Sequence, residues 1–171
     1  MRRRVLLVDG YNIIGDWPEL KALQVNDLEG ARDLLIQKMA EYQAYTGIEV
    51  IIVFDAHMVP GLGKKYNNFQ LNIIYTREKE TADEKIEKLV KELKRVDKQI
   101  YVATSDFVEQ RVIFASGAFR KSARELRNEM IAIEKGIEKQ VKKTREAKAK
   151  TKLPISEEMA EIFEKWRRGE N

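Results

Sequence analysis

The 171-residue chain contains no cysteine and a single histidine, His57. The absence of cysteine excludes a disulfide framework, thiolate metal sites and cysteine nucleophiles. A single histidine excludes zinc sites built from several imidazoles and most proton relays that depend on histidine. Any metal bound by this chain must therefore sit on oxygen ligands, which favours magnesium or manganese.

Long apolar runs are also absent. The amino-terminal apolar stretch ends after four residues at Asp9, which is too short for the core of a signal peptide. No run approaches the roughly 18 apolar residues of a membrane-spanning helix. No predicted strand is followed by G-x-G-x-x-G, so a dinucleotide cofactor is not expected. We therefore expect a cytoplasmic protein that has no membrane partner.

The sequence does contain an alternation of apolar runs and amphipathic segments. Runs typical of buried strands occur four times, at 5–8, 49–54, 69–75 and 99–104. Between them, helical periodicity extends from Asp27 to about Thr46, with Gly47 as a predicted C-cap. A second helix begins with a capping box formed by Thr81 and Glu84. This alternation predicts an α/β fold with a mostly parallel central sheet and helices on both faces.

We divide the chain at residue 130. Residues 1–130 are predicted to form the α/β domain, including a short helix that follows Asp106 and ends near Gly117. A long helix is predicted over 122–150, because apolar residues recur there every three or four positions and no proline interrupts them. A short terminal helix with an apolar face follows. We expect residues 131–171 to be a helical C-terminal extension packed on the same domain.

Aspartates follow three of the four predicted strands, at Asp9, Asp55 and Asp106. The remaining strand leads to Asp83 in the first turn of the next helix. In open parallel sheets, ligands bind beyond the carboxyl ends of the strands. Carboxylates crowded at that edge repel one another unless a cation neutralises them. The pattern predicts a pocket for one or two divalent cations, bound through carboxylates, waters and substrate phosphate.

Each of these residues also has a purely structural interpretation. An aspartate after a strand often caps the following turn or helix. The helix macrodipole favours Asp83, and Asp55 can begin an ordinary loop. The amide of Asn12 either orients a water or a ligand carboxylate, or stabilises the turn after Gly10. The coincidence of aspartates at several strand ends favours the metal site.

Positive charge is concentrated in one segment. Residues 120–153 carry 12 basic and 5 acidic groups, an excess of seven, whereas the whole chain has an excess of four and the remainder is net acidic by three. Such a run is usually a solvated helix face, but beside a carboxylate–metal site we expect it to contact an RNA phosphate backbone. A basic loop at 60–68 is a second candidate, and a solvated hairpin tip is its simpler interpretation. The predicted RNA-binding residues are Lys64, Lys65, Arg120, Lys139, Lys142, Lys143, Arg145 and Lys148.

Three short motifs carry a family resemblance. They are Val-Asp-Gly-Tyr-Asn at 8–12, Thr-Ala-Asp-Glu at 81–84 and Thr-Ser-Asp at 104–106. In this order and spacing they resemble the NYN-domain proteins, which are relatives of the PIN nucleases, and the match is closest to the bacterial YacP-type group. Residues 115–126 resemble a later motif of that group, and the resemblance covers residues 4 to about 130.

The resemblance implies an activity and a site. Members of the family are metal-dependent endoribonucleases, and the YacP-type proteins are associated with mRNA decay linked to translation. By motif, Asp9, Asp83 and Asp106 would form the acidic site for Mg²⁺ or Mn²⁺, with Asn12 as the accompanying polar catalytic residue. Asp55 resembles a further position in related nucleases. The implied fold is a PIN-like three-layer sandwich, and the implied partners are single-stranded RNA, mRNA in particular, and the ribosome.

Two alternatives stay open at the level of the sequence. A non-catalytic RNA- or ribosome-binding module would keep the fold and the basic helix but would not cut RNA. A small phosphatase or phosphotransferase would use the same carboxylates but would leave the basic helix without a task. Phosphodiester hydrolysis needs an activated water and an offset for charge on the leaving oxygen, both of which a carboxylate-held metal provides. The endoribonuclease is therefore the leading hypothesis.

Overall fold

The computed structural model describes residues 3–55, 65–66, 71–94, 98–105, 117–152 and 157–169. The strands are β1 (Arg3–Asp9), β2 (Glu49–Phe54), β3 (Lys65–Tyr66), β4 (Asn72–Tyr75), β5 (Lys98–Ala103) and β6 (Phe119–Lys121). The helices are α1 (Gly10–Asp16), α2 (Pro18–Gln24), α3 (Leu28–Thr46), α4 (Ala82–Lys94), α5 (Ala123–Lys152) and α6 (Glu157–Arg167). None of the helices in these ranges is long and apolar enough to span a membrane.

The six strands form one sheet in the order β3-β4-β2-β1-β5-β6. The five neighbouring strands β4, β2, β1, β5 and β6 are parallel. Strand β3 pairs antiparallel with β4 at one edge of the sheet. The register places Asp9 beside Val53 of β2 and Val8 beside Ala103 of β5. The predicted mixed α/β fold with a mostly parallel sheet is confirmed, and β1 occupies its centre.

Both faces of the central strands are buried. On one face, Val5 and Leu7 of β1 pack with Val53 and with the apolar stripe of α4, which includes Ile86 and Val90. The alternate residues of β1 point to the opposite face, because side chains alternate along a strand. These residues are also fully buried, and α1 and α3 contact β2. The continuous apolar runs therefore reflect a sheet covered on both sides.

The two predicted helix caps, Gly47 and Thr81, are present, and the structure adds a third at Asp27. Asp27 accepts a hydrogen bond from the backbone N–H of Gly30 at 2.8 Å at the start of α3. At the other end of that helix, Gly47 has φ of 72°, the left-handed conformation that glycine adopts without a side-chain clash. The hydroxyl of Thr81 accepts a hydrogen bond from the backbone N–H of Glu84 at 3.2 Å, as a capping box requires.

Helices α1 and α2 were not predicted from the sequence, which indicated a turn after Gly10. The structure shows that α1 begins at Gly10 directly after β1, and Pro18 opens α2. Between them, the fully buried Trp17 donates a hydrogen bond from Nε1 to the carbonyl oxygen of Ala123 at 2.8 Å. This bond connects the two short helices to the start of α5. The short strands β3 and β6 were also missed.

The long helix was predicted closely. It begins at Ala123, and the hydroxyl of Ser122 accepts a hydrogen bond from the backbone N–H of Glu125 at 3.0 Å. The chain divides into two compact units, Met1–Ile131 and Ala132–Asn171. The expected packing of residues 131–171 on the α/β domain stays a prediction. The predicted short helix after Asp106 lies outside the described residues.

A half-buried charged cluster joins α3, β6 and α5 within the first unit. The ammonium group of Lys121 donates to the two carboxylate oxygens of Glu129 at 2.7 and 2.8 Å and to the hydroxyl of Tyr42 at 3.2 Å. Tyr42 in turn donates to Glu129 at 2.9 Å. Burial lowers the pKa of Lys121, but its hydrogen bonds to Glu129 and Tyr42 outweigh that effect and raise the pKa above 10.5. Burial also raises the pKa of Tyr42 above 10.0.

This cluster predicts a loss of stability at alkaline pH. A raised folded-state pKa means that above pH 10 the folded chain holds protons that the unfolded chain releases, so the free energy of unfolding falls as pH rises. We expect urea unfolding to show this fall between pH 9 and 12, and Lys121→Met to reduce it. Lys139→Met, which changes an exposed lysine of α5, is the matched control. If the free energy of unfolding falls equally with pH in wild type and in Lys121→Met, this cluster is not the source of the alkaline loss of stability.

Candidate active site

Asp9 ends the central strand β1 and is only 8% exposed. It occupies the N-cap position of α1, yet its side chain makes no capping hydrogen bond to that helix. The structural interpretation in which Asp9 caps the following helix is therefore wrong. The position of Asp9 at the open edge of the sheet suits a ligand that approaches from solvent.

Asp55 and Asp83 lie at the same edge of the sheet as Asp9. Val53 is paired with Asp9, so Asp55 lies two residues further along the same direction, about 6–7 Å beyond the pair. Helix α4 begins after β4 ends, at the carboxyl edge, and Asp83 is exposed in its first turn. Thr81 rather than Asp83 caps that helix.

Asp106 lies outside the described residues, so its place in the predicted set of four carboxylates is not established. Ser105, the residue before it, follows β5 and belongs to the same edge. Within the described ranges, no group of three or more histidine, cysteine, aspartate or glutamate side chains is placed to hold a metal ion. The roles of Asp9, Asp83 and Asp106 as ligands stay predictions.

Asn12 connects α1 to the segment after β5. Its side-chain oxygen accepts hydrogen bonds from the backbone N–H of Ser105 at 2.5 Å and from the Ser105 hydroxyl at 2.8 Å. Asn12 therefore does more than stabilise a local turn, because it holds the residue that precedes Asp106. The sequence offered no signal for this pairing, since the two residues are 93 positions apart.

The carboxyl edge also carries aromatic residues for which the sequence predicted no role. The rings of Tyr11 and Phe54 have centroids 5.0 Å apart at an angle of 57°, and those of Phe54 and Tyr75 stack at 5.5 Å. Arg32 donates a hydrogen bond to the Tyr11 hydroxyl at 3.1 Å. Burial raises the pKa of Tyr11, and the charge of Asp55 adds to this while Arg32 opposes it. Asp55 therefore lies near enough to Tyr11 for its charge to act on the tyrosine hydroxyl.

The predicted RNA-binding residues are distributed over both units. Arg120 is exposed on β6. On α5, a groove of about 420 Å³ is lined by Val141, Arg145 and Lys148 among others. The predicted RNA-binding residues of α5 are exposed, and none of them forms a salt bridge with another described residue; they are Lys139, Lys142, Lys143, Arg145 and Lys148. Lys65 begins β3, whereas Lys64 and His57 lie outside the described residues.

A second groove of about 450 Å³ borders α4 and includes Arg77, Lys85 and Lys88 in its wall. Glu80 accepts a hydrogen bond from Lys88 at 2.6 Å, which lowers the pKa of that glutamate. Successive helical residues are rotated by about 100°, so Asp83 and Lys85 point to nearly opposite sides of α4. This groove is therefore on the flank of α4 that faces away from Asp83.

The carboxyl edge carries donor atoms of the type that a hard divalent cation prefers. Asp9, Asp55 and Asp83 supply carboxylate oxygens, which magnesium and manganese prefer. Asp9 is nearly buried, Asp55 is half-buried and Asp83 is exposed, and these three described residues alone do not form a group placed to hold a metal ion. The chemistry of these residues thus agrees with the predicted cofactor, while occupancy and coordination stay predictions.

Comparison with known proteins identifies relatives over almost the whole chain. Residues 6–168 match the family described as the YacP-like NYN domain. The chain is 58% identical over 166 residues to the uncharacterized protein YacP of Bacillus subtilis (strain 168), covering 97% of this chain and 98% of that protein. The crystal structure of Rae1 (YacP) from Bacillus subtilis matches with 58% identity and a TM-score of 0.76, covering 96% and 95% of the two chains. A tryptophan-to-leucine mutant of Rae1 matches with 53% identity and a TM-score of 0.74, covering 99% and 96%.

These matches confirm the resemblance indicated by the three motifs. NYN-domain proteins are generally nucleases, the family implies an RNA substrate, and PIN-like members typically use divalent metals. The relatives cover both the α/β unit and the helical segment that follows it. The chain therefore belongs to the YacP-like NYN domain family.

Proposed function

We propose that this chain is a metal-dependent endoribonuclease that hydrolyses phosphodiester bonds in single-stranded RNA. The observation that supports it best is the nearly buried carboxylate of Asp9, at the carboxyl end of the central strand of a nuclease-family fold. This carboxylate does not cap the helix that follows. Asp55 and Asp83 at the same edge add the negative charge that a divalent cation would neutralise.

Asp9, Asp83 and Asp106 are the residues that would hold the cation, with Asp55 as a further candidate. When bound, such an ion supplies an activated water and offsets negative charge on the leaving oxygen. Asn12 is a positioning residue in this proposal, because it holds Ser105 and so constrains the segment that leads to Asp106. Fixed placement of site residues is worth large factors in rate, because small misplacements of reacting groups are costly.

The exposed basic residues of α5 and Arg120 would contact the phosphate backbone. Their contribution to affinity should be sensitive to salt and insensitive to sequence, since lysines that bind phosphates do not read bases. We propose mRNA as the substrate and the translating ribosome as its context. A nuclease of that kind would need to be assayed on both free and ribosome-bound RNA.

The first test is cleavage of RNA by wild type and by Asp83→Asn in Mg²⁺ or Mn²⁺. Asp83 is exposed and does not cap α4, so this variant should fold as wild type does. Loss of one carboxylate at a metal site costs several kcal/mol of transition-state stabilisation, which corresponds to roughly a hundredfold to a thousandfold loss of rate. The measurement is the initial rate of appearance of cleaved RNA ends, with free RNA and with ribosomes stalled on mRNA.

The matched control is Glu41→Gln, which removes one exposed carboxylate from the later half of α3, away from the carboxyl edge. It should cleave at the wild-type rate. Cleavage by Asp83→Asn at the wild-type rate would refute the assigned site. Salt-sensitive RNA binding without cleavage of either substrate in either metal would establish the binding module instead.

A further inference from the structure

The aromatic residues beside Asp9 form a row whose middle ring is buried and whose outer rings are partly accessible. Phe54 is fully buried, while Tyr11 and Tyr75 on either side of it are half-buried. Phe54 and Tyr75 are register partners on β2 and β4, and Tyr11 comes from the first turn of α1. The row therefore lies at the carboxyl ends of two strands, β2 and β4, and at the start of the first helix.

Tyr11 is held in a fixed orientation. Phe54 packs against its ring with centroids 5.0 Å apart, and Arg32 of α3 donates to its hydroxyl at 3.1 Å. The preceding residue, Gly10, has no side chain, and a Cβ there would overlap the ring of Phe54. A ring fixed by packing on one side and by a hydrogen bond at its tip loses little conformational entropy when a ligand contacts it.

Tyr11 lies close to the acidic residues at the carboxyl edge of the sheet. Asp9 lies two residues before it and Asn12 directly follows it, while Asp55 is close enough for its charge to act on the tyrosine hydroxyl. A chain bound at the Asp9 carboxylate would therefore pass the ring of Tyr11. Single-stranded nucleic acids are commonly held by aromatic side chains on which unstacked bases lie.

We propose that Tyr11 is a stacking surface for one nucleobase of the RNA strand bound at the Asp9 edge. The inference rests on the proposed function and identifies a residue that binds the RNA substrate. Every base has an aromatic face, so the site accepts all four bases without preference. It requires an unpaired base, because bases within a duplex are already stacked on their neighbours. Tyr11 thus selects single-stranded over duplex RNA.

The experiment uses the full chain carrying Asp83→Asn, which is expected to slow cleavage during binding by about a hundredfold or more. Single-stranded RNA with one 2-aminopurine, a base whose fluorescence is quenched by stacking, is titrated with this protein and with the same protein carrying Tyr11→Leu. Loss of one stacked base should weaken binding roughly fivefold to 150-fold. In the protein that carries Tyr11→Leu, the fluorescence quenching at the 2-aminopurine position that contacts Tyr11 should also be lost.

Two further variants separate stacking from folding. Tyr11→Phe keeps the ring and loses only the hydroxyl, so quenching should persist and affinity should stay within about threefold of the parent. Tyr45 is an exposed tyrosine near the C-terminal end of α3, the opposite end of that helix from Arg32. Tyr45→Leu should change neither the RNA affinity nor the quenching. Equal binding and equal quenching by the Tyr11→Leu protein and its parent would overturn the proposal.

A crosslinking measurement keeps the test valid if Tyr11→Leu fails to fold. RNA containing 4-thiouridine is irradiated on the Asp83→Asn protein, and the crosslinked peptides are identified by mass spectrometry. The peptide with Tyr11 is the expected site, and crosslinks confined to other peptides would refute the stacking role. The cleavage assay distinguishes failure of the proposed function from failure of this inference. If wild-type protein never cuts RNA, the nuclease proposal fails, but the contact between Tyr11 and a base can still be measured by quenching and crosslinking.

Discussion

Asp9→Asn should abolish most cleavage while leaving the fold intact. The substitution keeps the shape of the side chain and replaces one carboxylate oxygen of a nearly buried group at the centre of the sheet. If Asp9 holds the cation, losing its charge removes several kcal/mol of transition-state stabilisation, or roughly a thousandfold in rate. The free energy of unfolding in urea should change by only about 1 kcal/mol, the typical effect of a single substitution.

Two measurements separate the metal from the chemistry. If the wild-type chain binds Mn²⁺ as proposed, its melting temperature should rise with Mn²⁺ concentration, whereas Asp9→Asn should show a much smaller rise. Asp16→Asn, at the exposed end of α1, is the matched control and should behave as wild type in both assays. A wild-type cleavage rate or an unchanged Mn²⁺ response in Asp9→Asn would remove Asp9 from the site.

Much of the sheet could be predicted because its strands are buried on both faces. A continuous apolar run such as 49–54 has few alternatives to a central strand, and β2 coincides with it. The two seven-residue helices α1 and α2 were missed, because segments of that length contain too few turns to show a helical period. Asp9 at the N-cap of α1 and Pro18 at the start of α2 are residues typical of a helix N-terminus, but neither is followed by an apolar period long enough to identify the helix.

The candidate site was predictable to the extent that chain topology determines it. Parallel strands bring their carboxyl ends to one edge, which is why Asp9 and Asp55 could be grouped from the sequence alone. The contact of Asn12 with Ser105 and that of Arg32 with Tyr11 depend on how helices pack against distant segments. Such contacts have no local sequence pattern, and only tertiary structure reveals them.

Gly10→Ala should damage stability and activity together. Gly10 is buried between Asp9 and Tyr11, and an added Cβ would overlap the ring of Phe54. Phe54 is fully buried and in contact with Tyr75, so it has no open space to move into. Overpacking of this kind costs about 1–3 kcal/mol of unfolding free energy. Displacement of the flanking residues by about 1 Å would lower the cleavage rate by about a hundredfold.

Gly15→Ala, five residues further along the same helix, provides the matched control. A Cβ at Gly15 meets no atom within 4 Å, so alanine fits there without displacement. Because alanine favours helix over glycine, this variant should be more stable by up to about 1 kcal/mol and should cleave at the wild-type rate. Opposite shifts in the urea midpoint for the two glycine variants would show that the close approach of Phe54, and not helix propensity, determines the residue at position 10. Equal stability of the two variants would mean that the ring of Phe54 can move to accommodate a Cβ at position 10. Tyr11 would then be less rigidly held than its contacts indicate.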